Sequence, residues 1–164
     1  VGSDMLDNMS AAIAIGLHFG VSTQQICHAL ENYVPSNNRS QLTETQNNKL
    51  IVDAYNANPS SMAAAIENFR LMAVKNKMAI LGDMRELGDV TAEEHQKIVD
   101  LLLAAGITNV WLVGDEFGKT KTTFQKFKDV EEVKTELAHN MPKNHYILIK
   151  GSNGTKLYEL PKLL

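Results

Sequence analysis

From residue 41 onward the chain alternates short apolar runs with longer stretches in which apolar residues recur every three or four positions. These are the two periods of strands and helices. Residues 49–54 (KLIVDA) read as a buried strand, and weaker alternation over 41–45, with Asn47-Asn48 as a turn, predicts a hairpin before it. Asn58 is an N-cap candidate with Pro59 at the first helical position, and Met62, Ile66, Phe69 and Met72 or Ala73 mark the buried stripe of a long helix. A strand over 77–81 follows, stopped at Gly82. Thr91 and Glu94 have the spacing of a capping box and open a helix through Ile98, Leu101 and Leu102 to Gly106. The pattern closes with a strand over 110–113 ending at Gly114, a weaker strand over 124–127, a helix over 130–139 and a strong strand over 146–149. A final helix over 154–163, shortened by Pro161, completes it. Such alternation predicts an α/β fold: a doubly wound, mostly parallel open sheet with right-handed crossovers and helices on both faces.

Upstream, the rhythm is purely helical. Met9, Ala12, Ile13, Ile15 and Leu17 carry a first helix to a stop at Gly20; Ser22 and Gln25 cap a second, whose apolar face is Ile26, Ala29 and Leu30. Residues 33–38 have linker composition, so the expected division is a helical block over 1–36 and a sheet domain over 37–164. The chain starts at Val1 and enters a helix at once, which suggests a piece of something longer.

Composition narrows the class. With 164 residues there is room for one core-bearing domain and a small appendage. A formal net charge of -3 gives no overall attraction to nucleic acid or acidic lipid, so an anionic ligand must be held by local groups. No apolar stretch approaches the roughly 20 residues that span a bilayer. The single Cys27 reads as an apolar filler in a reducing, cytoplasmic setting.

In open parallel sheets, ligands collect outside the carboxyl ends of the strands. Asp53, Gly82, Gly114 and Lys150-Gly151-Ser152 all fall at such ends. Asp53, ahead of a helix N-terminus at Asn58, is suited to accept hydrogen bonds from a sugar hydroxyl, or it only turns and caps the chain. The loop over 82–88 (GDMRELG) sets acids and an arginine between glycines and reads first as a solvated turn. His95, beside Glu93 and Glu94, reads as a surface histidine; no histidine has metal-ligand spacing with it, and no metal site is expected. Arg39 on the linker is suited to phosphate oxygens. Neither GxxxxGK[ST] nor GxGxxG occurs. A receiver-like phosphoacceptor domain and a free-standing nucleotide or sugar-phosphate binding module are the competing readings. Receivers require an acidic pair on the first strand, which is absent here.

Four segments taken together are more specific: Asn38-Arg39-Ser40-Gln41, DAYNANPSSM over 53–62, LGDMRELG over 81–88 with His95, and Ile149-Lys150-Gly151-Ser152. They resemble the Rossmann-like C-terminal domain of the Mur ligases, in the branch that adds D-alanyl-D-alanine, over about residues 6 to 160. Residues 8–14 resemble the closing helix of that family's central ATPase domain, so the helical block would be its remnant. The resemblance implies ATP-dependent joining of D-alanyl-D-alanine to a UDP-N-acetylmuramoyl-tripeptide through an acyl phosphate, in cytoplasmic peptidoglycan synthesis. ATP and Mg2+ would be held mainly by the central domain, which leaves this piece inactive alone. Carried over by position, Asn8 would read adenine, Arg39 would reach the ATP phosphates as the catalytic cation, and Asp53 would hold the ribose. Tyr55, Asn56 and Asn58 would help seat the dipeptide. Asn153 stands where the family often has arginine.

Overall fold

The computed structural model describes residues 3–33 and 41–164, with the side chains of residues 3–5 and 41 outside that description. The chain divides into two compact units between Ser36 and Asn37, and each is described by itself.

The first unit is a helical pair, α1 (Ser3–His18) and α2 (Thr23–Glu31). Gly20 ends the first helix at φ 76, and Ser22 forms the expected capping box: its hydroxyl accepts from Gln25 N at 3.3 Å while Gln25 Oε1 accepts from Ser22 N at 3.1 Å. Ile26 is the buried residue of α2. Cys27, expected as core filler, is exposed, because it follows Ile26 by one position and so points about 100° away from the inner face.

The second unit is built on six strands: β1 (Gln41–Glu44), β2 (Lys49–Asp53), β3 (Lys77–Gly82), β4 (Asn109–Val113), β5 (Gln125–Phe127) and β6 (Tyr146–Lys150). Their order across the sheet is β1-β2-β6-β3-β4-β5, antiparallel only between β1 and β2. The helices are α3 (Pro59–Leu71), α4 (Thr91–Ala104), the short α5 (Asp115–Gly118) and α6 (Val130–His139).

Alternate residues of the central strands feed two cores. Met78, Ile80, Trp111, Val113, Ile147 and Ile149 pack with α6 through Val130, Val133 and Leu137. Ala79, Leu81, Val110, Leu112 and Leu148 face the other way, onto Met62, Ile66 and Phe69 of α3 and Ile98, Val99 and Leu102 of α4. Both faces of the sheet are covered, which is why the middle strands are apolar along most of their length. Each fully buried large apolar side chain contributes about 1.5–3 kcal/mol.

Two expectations fail locally. A 3₁₀ turn, Gly88–Val90, runs straight into α4, so Val90 takes the N-cap position and Thr91, already helical at φ -51 and ψ -48, cannot form the capping box. The final helix is two 3₁₀ segments, Asn153–Thr155 and Leu157–Lys162, separated by Lys156 in the left-handed region at φ 56. Pro161 inside the second supplies no amide to extend it as an α-helix.

Candidate functional site at the carboxyl edge of the sheet

The five parallel strands end at one edge of the sheet. Register aligns Asp53 with Lys150 and Lys150 with Leu81, and Gly82 with Val113. Lys150 therefore stands between the ends of β2 and β3. Its side chain is 1% exposed, and its Nζ donates to Asp53 Oδ2 at 2.5 Å and to the Asn56 carbonyl at 3.2 Å. The Asp53 side chain keeps 20% of its exposure, so the carboxylate sits in the rim with one part held and another reachable from outside.

Beyond Asp53 the chain turns into α3. Asn58 caps that helix: its Oδ1 accepts from Ser61 N at 2.8 Å and from Ser60 Oγ at 3.0 Å, while Ser61 Oγ accepts from Asn58 N at 3.2 Å. Pro59 begins the helix as expected. Asn56 and Tyr55 are exposed, Tyr55 by 52%, and Ala57 is buried between them and the cap.

The loop after β3 is an anchored structure. Asp83 caps α5, with Oδ2 accepting from Glu116 N at 2.9 Å and Oδ1 from Phe117 N at 2.8 Å; these amides are unpaired at a helix start. Its own amide donates to Val113 O at 3.0 Å, and its carbonyl accepts from Ser152 N at 3.2 Å, so one residue joins the ends of β3, β4 and β6. Met84 is buried rather than solvated. His95, expected at the surface, is fully buried: α4 turns it inward, onto the edge of Phe117 at 4.7 Å between ring centroids. Met84 N donates to its Nε2 at 3.0 Å, which leaves Nδ1 to donate to Thr91 O at 2.7 Å.

Close approach explains the paired glycines. A Cβ on Gly82 or on Gly151 would lie 2.7 Å from Thr155 Oγ1, and one on Gly151 would also lie 3.0 Å from Gly82 Cα. The two strand ends and the following 3₁₀ turn are thereby drawn together.

Beside this junction a cleft of about 490 Å³ opens over the ends of β3 and β4 and the start of α6. Arg85, Lys128 and Lys156 line it together with Asp83, Asp115, Glu116, Asp129 and Glu131. The Glu116 hydrogen bond raises the Lys119 ammonium above its ordinary value at the margin. Opposite charges around one space suit a ligand that carries both an ammonium and a carboxylate. Among the described residues, no group of three or more His, Cys, Asp or Glu side chains could hold a metal ion, and no helix is long and apolar enough to cross a membrane.

The structure thus brings Asp53, Asn56 and Lys150 together, with Asn58 and Tyr55 on the same turn. Asn8 is an exposed residue of α1, in the separate helical unit, and Arg39 lies outside the described residues. The bond from Lys150 to Asp53 and the cap from Asp83 to α5 are the functional-edge contacts that sequence reasoning missed. A signal for the first existed: a lone lysine ending an otherwise apolar central strand needs a buried partner.

The Mur ligase glutamate ligase domain matches residues 38–153. The UDP-N-acetylmuramoyl-tripeptide–D-alanyl-D-alanine ligase of Rickettsia prowazekii is 38% identical over 125 residues, 73% of this chain and 28% of that protein. The same enzyme of Bacillus subtilis is 30% identical over 175 residues, 99% of this chain and 38% of its own length. Among solved structures, MurF from Acinetobacter baumannii superposes with a TM-score of 0.84 at 28% identity, covering 99% of this chain and 38% of that one. The MurF ligase of Thermotoga maritima, solved in complex with ADP, shares the fold with a TM-score of 0.82 at 23% identity, covering 99% and 38%. The chain spans about two fifths or less of the length of these relatives.

Proposed function

The chain belongs to the Mur ligase family, and from that premise we propose that it is the C-terminal part of a ligase that joins D-alanyl-D-alanine to UDP-N-acetylmuramoyl-tripeptide in the cytoplasm. Residues 1–36 are the remnant of its central ATPase domain and linker, and residues 37–164 are the C-terminal domain. In the intact enzyme the tripeptide carboxylate takes the γ-phosphoryl group of ATP, leaving ADP. The dipeptide amine then attacks the acyl carbon, phosphate departs and the amine loses a proton. This chain alone is inactive.

Within that reaction this part of the ligase binds and orients. Asp53 accepts the ribose hydroxyls, Asn8 reads the adenine, and Arg39 meets the phosphates, where its planar fork offsets the charge on the transferring group. Tyr55, Asn56 and Asn58 line the approach of the dipeptide, and the mixed-charge cleft suits a zwitterionic acceptor. A magnesium ion neutralises phosphate charge in such transfers. The described residues here supply no donor set for it, and its ligands are assigned to the upstream domain. Closing the domains excludes water from an activated acyl group.

The observation that carries this reading is the Asp53 carboxylate, held at the carboxyl edge of the parallel sheet and still reachable. It is tested in the intact ligase by phosphate release that depends on ATP, muramoyl tripeptide and dipeptide together. Arg39→Ala and Asp53→Ala should each lose most of that rate; near-normal turnover in both rejects the assignments. Micromolar ATP binding to the 164-residue chain alone, measured by calorimetry, would instead favour a free-standing nucleotide module.

A further inference from the structure

We propose that Lys150 is a positioning residue for the nucleotide: it sets the orientation of the Asp53 carboxylate that meets the ribose. The inference rests on the ribose reading of Asp53 given above.

Lys150 ends a central strand with neighbours on both sides and is 1% exposed. Burying an ammonium is costly, and an apolar residue of similar volume commonly serves stability as well or better. Fold stability therefore does not account for a lysine here. What the ammonium does is local. One nitrogen holds Asp53 Oδ2 and the Asn56 carbonyl, so the carboxylate and the turn that follows it are referred to the same atom. Among the described residues no hydrogen-bond donor meets Asp53 Oδ1, while Oδ2 is taken. A carboxylate so pinned presents one defined oxygen outward instead of rotating about its terminal bond.

A second relation strengthens this. Lys150 is the register partner of both Asp53 and Leu81, and Gly151 and Ser152 directly after it pack on Gly82 and bond to Asp83. The ammonium is thus fixed at its base by the junction of β6 with β3. Orientation of Asp53 on β2 is thereby tied to the junction of β6 with β3.

The test uses the intact ligase and compares kcat/KM for ATP with that for 2′,3′-dideoxy-ATP. Loss of one hydrogen bond to a charged acceptor is worth about tenfold or more in this ratio. Asp53→Asn should collapse the preference for the ribose, and Lys150→Met should lower it by about tenfold. Combining them should lower it no further than Asp53→Asn does. A ratio unchanged in Lys150→Met but lost in Asp53→Asn overturns the role of Lys150 and leaves the ribose reading standing. A ratio unchanged in Asp53→Asn overturns both. If Lys150→Met does not fold, Lys150→Arg replaces it: the larger fork cannot take the ammonium's place without turning Asp53, so an unchanged ratio there also overturns the inference.

Discussion

The ring of His95 accepts the Met84 amide on Nε2 and donates from Nδ1 to the Thr91 carbonyl, so a helix and the loop that precedes it are clasped by one imidazole. Replacing it with alanine leaves a cavity against Phe117 and the buried Met84 amide without its partner. His95→Ala should cost about 2–4 kcal/mol in urea denaturation of the chain, and His95→Gln, which can restore one of the bonds, should cost less.

Gly114 carries φ 121, and a Cβ there would overlap the Asp83 carboxylate. Gly114→Ala should therefore destabilise by about 2 kcal/mol or more, from backbone strain plus displacement of the α5 cap. Asp83→Ala removes the cap and should cost about 1–3 kcal/mol. The double variant should lose less than the sum of the two, since the collision is gone, and a double-mutant cycle reads that difference.

Asn58 has a structural duty as a cap, whatever else it does. Asn58→Ala should lower stability by about 1 kcal/mol, while Asn58→Asp and Asn58→Ser, which keep an acceptor, should stay near the parent in thermal melts. A rise in dipeptide KM in Asn58→Asp, with stability retained, would separate the proposed substrate contact from the cap.

The hydroxyl of Ser152 is buried without a hydrogen-bond partner among the described residues. Ser152→Ala removes an unsatisfied polar atom and leaves the backbone bonds of that residue in place. Stability should be unchanged or higher by up to about 1 kcal/mol, against the usual direction for serine substitutions in a core.

Lys134 joins α6 to the last 3₁₀ segment by a hydrogen bond to Glu159, which lowers the Glu159 carboxyl below its ordinary value of 4.5. A depressed carboxyl contributes stability that is complete above the ordinary value and is lost as pH falls through the folded-state value. Glu159→Gln should therefore leave a flatter decline in melting temperature on acidification below pH 4.5 than the parent shows.

The periodic parts of the fold were legible because their signals are local. Met62, Ile66 and Phe69 of α3 lie one helical turn apart, and the cap at Asn58 with Pro59 needs only adjacent residues. The sheet edge was legible as a set of strand ends, with Asp53, Gly82 and Gly114 all placed there. Which ends touch was not, since Lys150 meets Asp53 across 97 positions only because β6 enters between β2 and β3. His95 was misread because Glu93 and Glu94 beside it point outward; helix rotation, set by the core, turned it in. Thr91 had the right spacing for a cap but lay one residue inside the helix. The specific strings shared with the Mur ligases identified the family where spacing alone left several chemistries open.

The strand made last in the sheet domain is the one that joins its two halves. Until residues 146–150 emerge from the ribosome, the β1-β2 hairpin and the β3-β4-β5 trio have no common hydrogen-bonded seam, so the sheet cannot close before β6 is made. A chain cut before residue 146 would lack the keystone and keep two ribbons with raw, sticky borders, a substrate for proteases.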